Sequence, residues 1–272
     1  PSHIIDARPP KYHFHNYLDL LPKLNGVLIE KPILIPSNFL YKKVVDMTKD
    51  TYYPIFVGYH LMHHPILKLV EKELETEQPL HYTFEYYEHL NSMYSYRKIN
   101  EMHESSLEES GGPEYSFSHA IQLCNRIFSQ NTSIEYLKRR KFSNNNIKCH
   151  DHSEIKLIHK IHRKENIIGN IIMNYLSHKK KQLLTINCKN STHEVDFLNN
   201  KFRSFSNGCL AKENIYPISK IDLLEKQMNN FFNVTHTKEK NLVALKSNST
   251  RMCHASEAIK ISDMLQSKDT NE

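Results

Sequence analysis

The chain of 272 residues contains no tryptophan and only six glycines, and this shortage limits the functions that short motifs could indicate. It has no glycine-rich phosphate loop, no G-x-G-x-x-G dinucleotide-binding pattern, no H-E-x-x-H metal motif and no G-x-S-x-G nucleophile motif. The commonest nucleotide enzymes and hydrolases are therefore disfavoured.

Long apolar runs and a disulfide framework are also lacking. No apolar segment approaches the roughly 20 residues that a membrane-spanning helix requires, and the first residues lack a signal-peptide pattern. The five cysteines are odd in number and widely scattered, so reduced thiols are expected. We predict a cytoplasmic or nuclear protein. Four glycosylation-type triplets leave secretion without a recognisable signal peptide open; they begin at Asn131, Asn190, Asn233 and Asn248.

Charge is divided unevenly along the chain. Residues 1–136 carry 12 basic and 17 acidic side chains, a net charge of −5, whereas residues 137–272 carry 24 and 13, a net charge of +11. With 39% hydrophobic residues, the chain can bury a sizeable core. We predict an acidic region over 1–110 and a basic, mainly helical region over 111–272, which could together form one domain.

Apolar periodicity predicts an α+β fold that is predominantly α-helical with a small number of short strands. Helices are expected over 82–107, 115–129, from His152 onward, over 193–202, 217–232 and 255–265. Strands are expected over 27–35, 52–57 and 183–188, and Asn25-Gly26 is typical of a hairpin turn. Pro32 would confine the first strand to the edge of a sheet.

The histidine-rich stretch around residues 149–162 suggests a metal or catalytic site. His152-Ser153-Glu154 resembles the H-x-E motif of zinc-dependent nucleobase deaminases, in which the histidine binds zinc and the glutamate transfers protons. The resemblance implies metal ligands at His152 and Cys188 and a catalytic Glu154. The sequence departs from the family because Ser191 stands where the second cysteine of C-x-x-C belongs. A structural zinc site formed by Cys149 with nearby histidines is another possibility.

Cys209 is a second catalytic candidate. It follows the turn Ser206-Asn207-Gly208, and we expect it at a helix start, where amide dipoles lower the pKa of a thiol. His236 or His254 could then serve as the base of a cysteine-nucleophile enzyme.

Basic clusters in the second half suggest contact with a polyanion. Consecutive cations cannot be buried cheaply, so these side chains should lie on the surface. The predicted polyanion-binding residues are Lys138, Arg139, Arg140, Lys141, Lys179, Lys180 and Lys181.

From these features we predict a binding protein whose basic second half contacts nucleic acid or an acidic protein partner. The alternative is a hydrolase or transferase, either deaminase-like with zinc as cofactor or dependent on Cys209, and such an enzyme could be a pathogen effector. Whether the protein is an enzyme, and its oligomeric state, stay open at this stage.

Overall fold

Two β-sheets organise the chain, whose computed structural model describes residues 2–50, 53–93, 96–129, 131–143, 147–161, 165–236 and 252–268. The strands are β1 (His3–Asp6), β2 (Gly26–Glu30), β3 (Ile55–Gly58), β4 (Pro79–Tyr87), β5 (Thr132–Arg140), β6 (His152–His159), β7 (Ile167–Asn174), β8 (Lys181–Cys188), β9 (Thr192–Asp196), β10 (Lys201–Ser206), β11 (Cys209–Ile215) and β12 (Cys253–His254). The helices are α1 (Tyr41–Asp50), α2 (Ile66–Thr76), α3 (Leu90–Met93), α4 (Leu107–Ser110), α5 (Pro113–Ser116), α6 (His119–Phe128), α7 (Lys220–His236) and α8 (Ala255–Ser267).

The smaller sheet has the strand order β1-β2-β3-β12. Its first three strands are parallel, and β12 pairs antiparallel with β3. The expected hairpin at Asn25-Gly26 is therefore wrong, and β2 lies inside the sheet because it ends at Glu30, before Pro32 could interrupt its hydrogen bonds. Both ends of the chain contribute to this sheet, so the division into 1–110 and 111–272 stays a prediction.

The larger sheet has eight strands in the order β11-β10-β9-β8-β4-β7-β6-β5. Only β4 and β7 run parallel; the other neighbours are antiparallel. This sheet overturns the predicted, predominantly helical fold. The segments in which helices were expected over 82–107, from His152 and over 193–202 instead supply β4, β6, β9 and β10.

Alternation explains why β6 is a strand. Ser153, Ile155, Leu157 and His159 are buried, while the residues between them are partly exposed, which is the two-residue period of a half-buried strand. The apolar residues also fit the three- and four-residue spacing of a helix, and this ambiguity explains why the helix predicted from His152 is wrong. The predicted helices over 115–129, 217–232 and 255–265 correspond to α5 with α6, α7 and α8.

The main core joins both sheets, because buried residues of β2 and β3 belong to the same cluster as those of the larger sheet, α6 and α8. Tyr82 of β4 stacks on Phe128 of α6, with ring centroids 4.2 Å apart and planes 5° from parallel. Its hydroxyl lies 2.7 Å from His159 Nε2, so the phenol is satisfied inside the core. No helix among the described residues is both long and apolar enough to cross a lipid bilayer.

Gly169 allows the Tyr82 ring to lie against β7. A methyl group at residue 169 would meet Tyr82 Cζ at 1.9 Å, and the buried ring has no space into which it could move. We expect Gly169→Ala to lower the free energy of unfolding by about 1–3 kcal/mol or more, as overpacked cores do. Chemical denaturation measures this loss.

The matched control is the same substitution in a Tyr82→Leu background, where the smaller side chain leaves room for the methyl group. The cost of Gly169→Ala should be smaller there, and equal costs in both backgrounds would contradict the assignment of the clash to the ring.

Candidate functional site

Basic side chains gather beside the carboxyl ends of β2 and β3. In open sheets with parallel strands, ligands bind in the crevice beyond the carboxyl ends of those strands. Lys31 follows β2 directly, and Tyr59 and His60 follow β3. The three parallel strands therefore bring residues that are distant in sequence to one edge of the smaller sheet.

β1 contributes a structural carboxylate to the same edge. Asp6 accepts hydrogen bonds from Arg8 Nε at 2.8 Å and from the Tyr17 hydroxyl at 2.7 Å. Burial opposes ionisation, but these bonds outweigh it and lower the pKa of Asp6 to about 2. Asp6 thus holds the segment from Arg8 to Tyr17 in place and has no spare capacity for chemistry.

Lys31 is half-buried and points toward α5. Its Nζ donates a hydrogen bond to the backbone carbonyl oxygen of Ser116, and the peptide bond between Lys31 and Pro32 is cis. Burial lowers the pKa of the Lys31 ammonium below its ordinary value, although the nearby Glu30 and Glu104 act in the opposite direction. Such a lysine gives up its proton more readily than a solvated one.

His119 is the first residue of α6 and is only 2% exposed. Neither ring nitrogen has a hydrogen-bond partner among the described residues. The ring contacts Tyr59 and His60 edge to face, with centroids 5.2 Å and 4.5 Å apart. Unsatisfied buried nitrogens are rare in folded proteins, so they mark His119 as a group that a ligand could engage.

Both histidines are held in the neutral form. Burial, reinforced by the charges of Lys31 and Lys220, lowers the pKa of His60 to about 4. Burial, His60 and Lys31 together lower the pKa of His119 well below its ordinary value, and the positive end of the α6 dipole acts in the same direction. At neutral pH, His119 can thus donate one hydrogen bond and accept another.

Lys31, His60 and His119, which we call the basic cluster, combine a lysine of lowered pKa with two neutral imidazoles in a half-buried setting. These are the groups that general acid–base chemistry uses. The sequence interpretation did not select Lys31, His60 or His119 as site residues. A lysine directly after a buried parallel strand was the one available signal.

The deaminase-like residues are not brought together. His152 begins β6 and lies 3.1 Å from Glu154 Oε1 on the same strand. Cys188 ends β8, where it pairs with Pro79 of β4, whereas the register across β7 and β4 aligns His152 with Asn174, Tyr87 and Lys181. His152 and Cys188 therefore lie at opposite ends of the sheet, about 23 Å apart along the strands.

Cys149 does not form a zinc site with the other described residues either. It is buried, and its thiol donates to the Glu104 carbonyl oxygen at 3.3 Å. His162 lies outside the described residues. Among the residues that are described, no three His, Cys, Asp or Glu side chains are placed to hold a metal ion.

Cys209 begins β11 after the Asn207-Gly208 turn and is exposed, so it does not start a helix. His254 belongs to the other sheet, where its Nε2 lies 2.8 Å from the Tyr53 carbonyl oxygen. His236 ends α7, and its side chain lies outside the described part of the chain. The expected helix dipole at the thiol is absent because the turn leads into a strand.

The predicted polyanion-binding cations divide between the end of β5 and the start of β8. On β5, Arg139 Nε contacts buried Glu114 at 2.5 Å, while Lys138 and Arg140 lie over the rings of Tyr136 and Phe142. Lys141 donates to a backbone carbonyl oxygen.

At the start of β8, Lys180 pairs with Glu88 and Lys181 with Glu85, while Lys179 is exposed. Carboxylates of the same chain thus neutralise part of both groups of predicted polyanion-binding cations. These ion pairs join residues that are distant in sequence, so the sequence alone could not reveal them.

The fold is similar to that of known dehydrogenases. An inositol dehydrogenase homolog from Azotobacter vinelandii, solved with NAD+, superposes with a TM-score of 0.79 and 13% identity over 99% of this chain and 77% of its own. The dehydrogenase MviM from Clostridium difficile superposes with a TM-score of 0.67 and 17% identity over 99% of this chain and 78% of its own. UDP-N-acetylglucosamine 3-dehydrogenase GnnA from Acidithiobacillus ferrooxidans superposes with a TM-score of 0.66 and 13% identity over 98% of this chain and 78% of its own. No protein-family model and no curated protein sequence matches.

These similarities overturn the predicted function. A fold shared with NAD(P)-binding dehydrogenases over nearly the whole chain does not support a nucleic-acid or acidic-partner binding protein. The deaminase-like hydrolase, the cysteine-nucleophile enzyme and the pathogen effector are wrong for the same reason. The basic charge of the second half led to the wrong prediction of polyanion binding, because net charge describes the surface of a protein and does not determine its fold.

The residues present fit only part of a nicotinamide dinucleotide. The basic cluster lies where the reactive end of a ligand would be expected in such a sheet. However, β1, β2 and β3 are followed by Ala7, Lys31 and Tyr59, and none of these described connections is the glycine-rich turn that approaches a pyrophosphate. The described residues therefore provide no such cradle for the phosphates.

Glu114 attaches the helical segment that carries His119 to the larger sheet. Its fully buried carboxylate contacts Arg139 at 2.5 Å and His150 at 2.8 Å and accepts a hydrogen bond from the Ser153 hydroxyl at 2.6 Å. We expect Glu114→Gln to lower the free energy of unfolding by about 3–5 kcal/mol, because it leaves the largely buried guanidinium of Arg139 uncompensated. Denaturant titration at neutral pH measures the loss.

Glu109→Gln is the matched control, since it removes a 39% exposed carboxylate paired with Lys11 and should cost about 0–1 kcal/mol. Burial opposes ionisation of Glu114, but His150 and Arg139 lower its pKa from 4.5 to about 2. The stability that this carboxylate contributes is therefore complete above pH 4.5 and is lost as the pH falls through about 2. An equal cost for the two variants would contradict this role.

Proposed function

We propose that the chain acts as an NAD(P)-dependent oxidoreductase that interconverts a hydroxyl and a carbonyl group of a small polar substrate. The observation that carries the proposal is the basic cluster at the carboxyl ends of β2 and β3. The fold supports it, because solved proteins of similar fold include an inositol dehydrogenase homolog complexed with NADH and myo-inositol and a UDP-N-acetylglucosamine 3-dehydrogenase.

Lys31 is the proposed acid–base group. Its lowered pKa brings proton exchange closer to neutral pH, which is the condition under which a general acid or base is efficient. In carbonyl reduction, the ammonium would donate a proton to the developing alkoxide, and in alcohol oxidation the free amine would remove the hydroxyl proton. The Ser116 carbonyl oxygen orients the Lys31 side chain through its hydrogen bond.

His119 is the proposed positioning group for the substrate oxygen. Its two ring nitrogens lack partners among the described residues, and its neutral state allows one of them to donate to a carbonyl or hydroxyl oxygen. His60 lies against His119 and adds a second neutral imidazole to the site. When bound, a nicotinamide dinucleotide would supply or accept the hydride.

Replacing Lys31 with Met tests the acid–base role. We expect the rate of carbonyl reduction to fall by about 10²–10⁴-fold, because the proton donor is lost while the apolar part of the side chain is kept. The change in nicotinamide absorbance with ketone forms of polyols and sugars measures the rate. Lys43→Met is the control, since Lys43 is 54% exposed and pairs with Asp19 on the surface. Full activity of Lys31→Met would overturn the proposal.

The pH dependence of carbonyl reduction provides a second test. His60 and His119 stay neutral through pH 6.5, so kcat/KM should show no transition at that value, which is the ordinary pKa of histidine. It should fall as the pH rises through the pKa of Lys31, which lies below 10.5, because the proton donor is then lost. An activity that rises with pH through 6.5 would contradict the neutral state of the two histidines.

A further inference from the structure

A small pocket lies between α6, the beginning of β5 and α8. Its volume is about 260 Å³, and its lining does not include Lys31, His60 or His119. The pocket is thus separate from the basic cluster, although Gln122, which lines it, follows His119 by three residues in α6. The lining residues are Gln122, Asn125, Thr132, Ser256, Glu257, Lys260, Ile261 and Met264.

Two amide side chains on α6 present unsatisfied oxygens in this region. Gln122 is 2% exposed, and its Oε1 has no hydrogen-bond partner among the described residues; the same holds for the buried Oδ1 of Asn125. The amide nitrogen of Gln122 lies 3.4 Å from Glu257 Oε2, so this end of the side chain is held by α8. Buried amide oxygens without partners are rare, and two in one pocket indicate a missing donor.

The remaining lining combines polar and apolar groups. Thr132 and Ser256 line the pocket, and their hydroxyls already bond to His159 and His254. Glu257 and Lys260 supply charged groups, while Ile261 and Met264 supply apolar surface. This mixture suits a ligand that carries hydroxyl groups on one side and exposes C–H groups on the other.

We propose that this pocket, which we call the amide pocket, binds a small neutral polyol or monosaccharide. A hydroxyl both donates and accepts, so it satisfies Gln122 and Asn125 whichever way their amides are turned. The volume lies just below the roughly 300–1,000 Å³ of pockets for drug-sized molecules, which suits a single sugar ring. The inference does not depend on the proposed oxidoreductase activity.

NMR titration of the full chain with myo-inositol tests the proposal, with cyclohexanol as a ring of similar size that carries one hydroxyl. We expect saturable binding of myo-inositol, at least tenfold weaker binding of cyclohexanol, and at least tenfold weaker myo-inositol binding in Gln122→Leu. Gln227→Leu is the matched control, because Gln227 is equally buried at 2% exposure and its Oε1 also lacks a partner among the described residues, but it does not line the pocket.

Asn125→Leu is a second variant, at a less buried position, and we expect it to weaken myo-inositol binding as well. It keeps the test available if Gln122→Leu does not fold. Binding should persist in Lys31→Met, which separates the amide pocket from the basic cluster. No saturable binding of myo-inositol to the unaltered chain would overturn the proposal. So would binding that survives both Gln122→Leu and Asn125→Leu, or binding that is lost only in Lys31→Met.

Discussion

The parallel pairing of β4 with β7 is the constraint on which the rest of the structure depends. Residues 81–87 pair with 168–174, so a strand from the first third of the chain is inserted between strands from the second half. The intervening residues must then leave the sheet and return, and they form α3 to α6 on the way to β5. Gly169 permits this pairing because it leaves room for the ring of Tyr82.

The returning segment connects the sheet to the basic cluster through Ser116. Its hydroxyl accepts a hydrogen bond from the Tyr175 hydroxyl at 2.6 Å, just after β7, while its carbonyl oxygen accepts one from Lys31. Glu114, two residues earlier, is held by Arg139 and His150. The orientation of Lys31 and the start of α6 at His119 therefore both depend on how α5 is held against the larger sheet.

Some elements could be predicted because local pattern and tertiary environment agree. The helix of residues 255–265 has apolar residues at helical spacing and forms α8, and the strand expected over 183–188 lies within β8. The helix predicted from His152 was wrong because the isoleucines and leucine of this segment fit both a helical and an alternating pattern. Only pairing with β5 and β7 selects the strand. The Pro32 prediction failed because β2 ends one residue before Lys31.

The candidate site was less accessible to sequence reasoning than the fold. Glu154, Cys188 and Cys209 were selected by spacing within short motifs, yet strand register separates His152 from Cys188, and a turn leads Cys209 into β11. Lys31, His60 and His119 belong to no motif of short spacing. They meet because parallel strands place their carboxyl ends at one edge and α6 begins beside that edge.

By itself the sequence determined the composition of the core, the absence of long apolar runs, and the positions of the later helices, because these depend on residue type and local spacing. Only the tertiary structure decided that β-sheet pairing dominates, that Glu114, Glu88 and Glu85 neutralise neighbouring cations, and that the side chains of Lys31, His60 and His119 share one site. The physical reason is that strand pairing, burial and shifts in pKa arise from contacts between residues that are distant along the chain.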